Sequence, residues 1–334
     1  MTSSTRTALV LGMTGGIGGE IARSLLRRGW RIRALHRGAV TPAIADVPPD
    51  SIEWVRGDAM HAVDVANAAV GAAVIVHAVN PPHYKKWREL ALPMLRNTIA
   101  AARARHARIL FPGTIYNFGR DAFPLLQENS AQRPITRKGK IRVEMEQMLA
   151  EAAQDGVRTL IVRAGDFFGP RAGNSWFSQG MIQPGKPVRR VWYPGPRNVG
   201  HAWAYLPDVA ETFARLMERE EHLATFDAYN FRGHHFARGV ELAEVICDAA
   251  AIERTRIKAF PWWAVTLAAP FVSMLKEMLE MRYLWSDAAE LDNRKLIGAL
   301  GSEPHTPARD AVRITLEGLG CLQSSEGAAA IAGA

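Results

Sequence analysis

Residues 8–11 form a short apolar run that leads straight into Gly12-Met13-Thr14-Gly15-Gly16-Ile17-Gly18, and an amphipathic helical pattern follows over 18–28. Few sequence features restrict a fold as tightly. Glycines at 12, 15 and 18 allow a sharp turn, close approach of the backbone to a bound pyrophosphate, and close helix–strand packing. The N-terminus of the helix then offers unpaired N–H groups and a partial positive charge to phosphate. The same glycines in an isolated loop would mean little; between a strand and a helix they mark a dinucleotide turn. Gly12, Thr14, Gly15, Gly16, Ile17 and Gly18 are therefore candidate cofactor contacts.

The alternation continues. Strand-like runs lie at 31–35, 52–56, 73–78, 108–111 and 159–163, with helical periodicity at 89–105 and 141–154. Strands and helices at this spacing predict parallel βαβ units in an α/β, doubly wound Rossmann sheet over residues 1–165, with ligands at the C-terminal edge of the strands. Beyond Gly165 the texture changes, and residues 169–200 are rich in Gly, Pro and Trp. Residues 166–324 are expected to form a smaller C-terminal substrate-binding subdomain, with strands and helices (208–219 and 240–250) returning to the core. The Ala/Gly-rich stretch 325–334 reads as a flexible tail.

Composition narrows the classes. Of 334 residues, 48% are hydrophobic and 22% charged, the balance of a globular enzyme. The longest apolar run, 262–275, is broken by Pro270 and falls short of the ~20 residues of a membrane span. It lacks an Arg/Lys-rich face, so burial in the second domain is expected, with no membrane partner. Residues 1–7 are polar and carry no leader pattern, which points to the cytoplasm. Cys247 and Cys321 suggest neither a disulfide framework nor a metal site. The net charge of +8 is spread along the chain, so no nucleic-acid partner is expected.

The end of the second strand bears on cofactor choice. NAD sites place an Asp or Glu there for the ribose hydroxyls, whereas NADP sites supply an Arg for the 2′-phosphate. The sequence reads Leu35-His36-Arg37-Gly38, without a carboxylate, which favours NADP(H) with Arg37 as the phosphate clamp.

Further elements are similar to those of the extended short-chain dehydrogenases, the group that contains UDP-glucose 4-epimerase and many sugar-nucleotide dehydratases. Gly57-Asp58-Ala59 resembles that family's Gly-Asp element, and Val76-His77-Ala78-Val79 its cofactor-lining fourth strand. Arg163-Ala164-Gly165-Asp166-Phe167-Phe168-Gly169-Pro170 resembles Arg-Pro-x-Asn-x-Tyr-Gly-Pro, and 204–210 the element opening the next helix. The likeness runs from about residue 8 to about residue 320. It implies cofactor contacts at Asp58, Ala59, Ala78, Val79, Ala164 and Phe167, and it leaves a homodimer open.

At the catalytic positions the sequence departs from the family. Thr114, in Phe111-Pro112-Gly113-Thr114-Ile115-Tyr116, falls on the catalytic Ser/Thr. The Tyr-x-x-x-Lys pair, when aligned with Thr136 and Lys140, keeps its lysine as ribose holder and loses its phenol. A threonine hydroxyl is too weakly acidic to replace a phenol of pKa near 10. Three readings follow. Tyr116 or Tyr84 supplies the proton, or the reaction needs only hydride delivery and a polarising hydroxyl, or the protein binds cofactor without turnover. Arg133, Arg137, Lys138 and Arg142 are assigned to a solvated or phosphate-facing helix surface.

On the substrate side, Asn80, His83 and Tyr84 follow the fourth strand. Asp166 replaces an Asn that contacts substrate in the family, and a carboxylate there disfavours a nucleotide diphosphate. Trp176, Phe177, Trp192, Tyr193, Trp203 and Tyr205 suggest an aromatic lining, with Trp176 and Thr136 as candidate substrate contacts. The expected activity is an NADP(H)-dependent reductase or dehydrogenase of a small carbonyl or activated-alkene compound. The alternatives are a non-catalytic NADP(H)-binding sensor and a nucleotide-sugar epimerase or dehydratase.

Overall fold

The computed structural model describes residues 6–40, 42, 44, 46–81 and 86–322. His83, Tyr84 and the expected tail lie outside the described residues. Along the chain, β1 (Thr7–Leu11), α1 (Gly16–Leu26), β2 (Arg31–His36), β3 (Ile52–Arg56), α2 (Ala62–Ala68), β4 (Ala72–His77), α3 (Trp87–Arg105) and β5 (Arg108–Thr114) alternate as the hydrophobic pattern predicts. A two-residue strand β6 (Leu125–Leu126), then α4 (Arg137–Gln154) and β7 (Thr159–Ala164), complete the first half. The second half contains β8 (Asp166–Phe168), β9 (Val191–Tyr193), β10 (His201–Tyr205), α5 (Leu206–Met217), β11 (Phe226–Asn230), β12 (His234–Phe236), α6 (Glu241–Ala249) and β13 (Ile257–Ala259). The chain continues through α7 (Trp262–Ala268), α8 (Ser273–Glu280), β14 (Glu290–Leu291), α9 (Arg294–Leu300) and α10 (Ala308–Gly318).

Seven strands form one parallel sheet in the order β11-β7-β5-β4-β1-β2-β3. The order reverses between β1 and β4, and such a switch point opens a crevice at the strand C-termini. The central strands are apolar on both faces because helices cover both sides: Leu9, Val10, Ile75, Val76, Ile109 and Leu110 are fully buried. One buried cluster joins the sheet to α1 and α5, the other to α2, α3 and α4.

After residue 165 the chain builds a small sheet, β12-β10-β8, yet returns to the large one through β11 and α5. Phe177, Trp203, Tyr193 and Tyr205 are buried in the subdomain core and do not line a substrate site. The 262–275 run also differs from expectation. It breaks near Pro270 into α7 and α8, and Trp263, Leu267 and Phe271 are exposed. Seven- and eight-residue helices have too few faces to bury a run that is apolar all round. Among the described residues, no helix is long and apolar enough to cross a membrane.

The packing of α5 on α1 is tied by a polar cluster. Glu211 accepts hydrogen bonds from Ser24 Oγ (2.9 Å), Arg28 Nη1 (3.0 Å) and Arg215 Nε (3.0 Å). Burial alone would raise the Glu211 pKa, but these donors outweigh it and hold the carboxyl at about 2. The stabilisation is therefore present above the ordinary carboxyl value of 4.5 and is lost as pH falls toward 2. Glu211→Gln should lower stability at neutral pH and flatten the acid limb of a stability–pH curve between those values. An unchanged limb in denaturant titrations would mean that the cluster does not couple to folding.

Candidate active site

The glycine turn sets the geometry of the crevice. Gly12 has φ +94°, a left-handed conformation, and a Cβ built there would lie 2.5 Å from the Ala78 carbonyl oxygen at the end of β4. A Cβ at Gly18 would lie 2.3 Å from the Gly12 oxygen. Only glycines let α1 start this close to β1 and β4. The N-cap of α1, Gly15, offers no side-chain cap, so the first-turn N–H groups are left to a ligand or water.

A cavity of about 640 Å³ opens at this edge. It is lined along one end by residues 12–17, His36, Arg37, Asp58 and Ala59, and along the other by Asn80, Thr114, Tyr116, Asp166, Phe167 and Trp176. Ala78 and Val79 form the floor between the two. Most sequence-derived candidates thus meet in one space. Gly18 and Ala164 do not line it: Gly18 serves the helix–strand contact, and Ala164 faces the core opposite Thr114 in the β5–β7 ladder.

Two candidates are misplaced by the sequence alignment. Thr136 is the N-cap of α4, and its Oγ1 accepts the Gly139 N–H at 2.9 Å, so its hydroxyl serves the helix and not a substrate. Lys140 is exposed and is not part of the cavity wall. The wall instead carries Lys138 and Arg142. At 100° per residue, position 140 is turned by about 200° from position 138, whereas 138 and 142 share a face. The i, i+4 pair facing the cavity is thus Lys138 and Arg142, both assigned from sequence to the helix surface.

Each member of the pair is held. Lys138 Nζ lies 3.0 Å from Glu277 Oε2, and its side chain is only 7% exposed. Burial lowers the Lys138 pKa from its ordinary 10.5, while the hydrogen bond and charge of Glu277 oppose the shift. Arg142 donates to Asn80 Oδ1 at 3.2 Å and lies over the Trp87 and Phe111 rings, 5.4 and 5.6 Å from their centroids. Glu277 comes from α8, almost 140 residues further along the chain, and no sequence signal pointed to it. Its helix mate Glu280 accepts the Arg137 and Lys138 backbone N–H groups, which are orphan donors of the first turn of α4. Placing a carboxylate at that terminus also matches the helix dipole.

The Thr114 oxygen accepts the Tyr116 N–H at 3.3 Å, so its own O–H remains available to donate. His77 is buried behind the cavity, with Nδ1 2.8 Å from Thr98 Oγ1. Burial brings its pKa to about 3, so its ring is neutral at ordinary pH. Asp166 is also buried and pairs with His201 Nε2 at 2.9 Å, and the His201 ring stacks on Trp285 at 4.0 Å. Arg37 is 66% exposed, with Asp58 3.8 Å from its guanidinium, and stands at the open rim of the cavity. No group of His, Cys, Asp and Glu suited to a metal ion occurs among the described residues.

Residues 8–231 match the model of the NAD dependent epimerase/dehydratase family. The chain belongs to that family. Similar solved structures include a putative epimerase from Burkholderia cenocepacia, 18% identical, with 96% of this chain and 100% of that one covered and a TM-score of 0.73. UDP-glucose 4-epimerase from Thermus thermophilus, solved in complex with NAD, is 20% identical over 94% and 98% of the two chains, with a TM-score of 0.70. The dTDP-glucose 4,6-dehydratase from Streptomyces venezuelae is 16% identical over 93% and 96%, with a TM-score of 0.69. At these identities the likeness is one of fold. No curated protein matches the sequence.

Gly139 determines how α4 meets this site. A Cβ there would lie 2.2 Å from the Tyr116 carbonyl oxygen and 2.9 Å from Thr136 Oγ1. Gly139→Ala should cost about 1–3 kcal/mol through this clash, where an open helix position would gain ~1 kcal/mol from alanine. A denaturant melt measures the difference, and a stabilised variant would show that α4 does not abut Tyr116.

Proposed function

We propose that this family member is an NADP(H)-dependent oxidoreductase of a small carbonyl or activated-alkene compound, with Lys138 as the proton-transfer group. The observation that carries the reading is the buried Lys138–Glu277 pair in the wall of the cavity that Thr114 and Tyr116 also line. Burial makes the Lys138 ammonium a stronger acid than an exposed lysine, and a proton donor that the alkyl hydroxyl of Thr136 cannot replace.

The residues present fit a dinucleotide. The glycine cradle leaves room where a Cβ would collide, and the uncapped N-terminus of α1 suits a pyrophosphate. When bound, the nicotinamide would supply or accept a hydride. Arg142, held by Asn80, would hold the ribose in the role first assigned to Lys140. Thr114 would donate a hydrogen bond to the substrate oxygen, and Lys138 would deliver the proton while Glu277 keeps its ammonium oriented. Tyr116, the donor expected from sequence, becomes a wall residue beside them. Trp176 and Met278 would exclude water and favour an apolar substrate body.

Cofactor preference rests on Arg37. Its contact with Asp58 is long and exposed, and such pairs contribute little. A 2′-phosphate offers the guanidinium a stronger, bidentate partner. Arg37→Ala should weaken NADPH binding by about 10–100-fold, the worth of a charge-assisted contact, and leave NADH binding within a few-fold. Fluorescence titration of both cofactors measures this, and equal losses for the two would reject the preference.

A nucleotide-sugar epimerase or dehydratase is the second reading, favoured by family membership and by the Thermus and Streptomyces structures. The buried Asp166 carboxylate in the substrate wall counts against a diphosphate there. Lys138→Met separates these readings from a sensor. Under the proposed mechanism, kcat for carbonyl reduction should fall about 10²–10⁴-fold while the NADPH dissociation constant stays within a few-fold. The wild-type rate should fall as pH rises through a Lys138 pKa below 10.5, because the ammonium is the acid. Full activity in the variant would exclude Lys138 as donor, and cofactor binding without turnover of carbonyl, alkene or nucleotide-sugar substrates would leave the sensor.

A further inference from the structure

We propose that the outward face of the α7–α8 hairpin docks on an anionic lipid surface. The hairpin has two unlike sides. Its inner side is fixed to the rest of the molecule: Trp262 Nε1 donates to the Pro194 oxygen at 2.7 Å, its ring packs against Trp176 and Phe260, and Glu277 pairs with Lys138. The outer side carries Trp263, Leu267, Phe271 and Val272, which are 72%, 69%, 88% and 43% exposed.

Such exposures mean that the side chains stand out from the surface and do not line a groove. Four exposed large hydrophobics within ten residues of chain, two of them aromatic, differ from the scattered single hydrophobics that soluble surfaces tolerate. At roughly 200 Å² per aromatic side chain, the four present on the order of 500 Å² of apolar surface. That is enough for shallow insertion at the boundary between headgroups and acyl chains.

Charge selects the kind of surface. Residues 257–276 contain Lys258 and Lys276 and no Asp or Glu. Both lysines are exposed, as is Arg282, whose guanidinium lies 5.1 Å from the Trp262 ring centroid. The first carboxylates after this stretch, Glu277 and Glu280, are directed at α4, where Arg137 and Lys138 engage them at 17% and 13% side-chain exposure. The hairpin therefore engages its acids internally and exposes its apolar side chains on a stretch, 257–276, whose charged residues are the exposed Lys258 and Lys276. An overall charge of +8 adds to the attraction. Neither helix could span a bilayer, so the contact is interfacial. α8 also supplies Glu277 and Met278 to the cavity, so the docking face and the cavity share one helix.

The test is co-sedimentation of the full chain with phosphatidylcholine vesicles, with and without phosphatidylglycerol. Binding should be at least about tenfold tighter with phosphatidylglycerol and should weaken in high salt, as expected for a few lysines near an anionic surface. The double variant Trp263→Ser/Phe271→Ser should lose the binding while keeping its melting temperature and cofactor affinity, because neither side chain is buried or in the cavity. Lys258→Glu/Lys276→Glu should lose only the preference for phosphatidylglycerol. Failure to sediment with anionic vesicles, or equal sedimentation of the Trp263/Phe271 variant, would overturn the proposal. So would a wild-type dimer in analytical ultracentrifugation that the same variant dissociates, since the face would then belong to a second copy.

Discussion

The architecture depends on a backbone contact: the turn after β1 lies against the end of β4 so closely that no side chain fits at Gly12 or Gly18. That contact brings the start of α1 to the point where the strand order reverses. The crevice, the free N–H groups and the floor formed by Ala78 and Val79 all follow from it. Moving α1 outward by the width of a methyl group would fill the crevice from one side and detach the helix from its neighbours β1 and β4. A constraint on a few backbone atoms thus sets the position of everything that a dinucleotide would touch.

The opposite end of the cavity is assembled by charge. The first turn of α4 has backbone donors and cationic side chains, and α8 answers both with Glu277 and Glu280. This arrangement buries a lysine without leaving its charge unpaired, which would otherwise be costly. Burial and ion pairing also act in opposite directions on the same ammonium, burial lowering its pKa and Glu277 raising it. Because one partner of the pair sits on the α7–α8 hairpin, the site is complete only when that hairpin is docked. The exposed outer face of the hairpin is then held in place by contacts made on its inner face.

The sheet and the glycine cradle were legible in the sequence. Apolar runs spaced by amphipathic helices, and glycines at fixed offsets, act through local sterics and short-range periodicity, and these need no knowledge of distant contacts. Asp58, Ala59, Ala78, Val79 and Phe167, indicated by the resemblance to the family's elements, lie on the cavity wall. At the other end of the cavity, packing alone fixed which α4 side chains face it. A two-residue slip in placing the start of α4 exchanges Lys138 and Arg142 for Thr136 and Lys140, and nearly half a helical turn separates a cavity wall from solvent. Thr136 as a cap was legible in principle, since threonine is a favoured N-cap residue whose hydroxyl accepts a first-turn backbone N–H. Glu277 was not legible, because an ion pair spanning almost 140 residues leaves no periodic trace in the chain. Nor was the exposure of Trp263 and Phe271, because hydrophobicity states what a side chain prefers, and only the packing of short helices decides which preferences can be met.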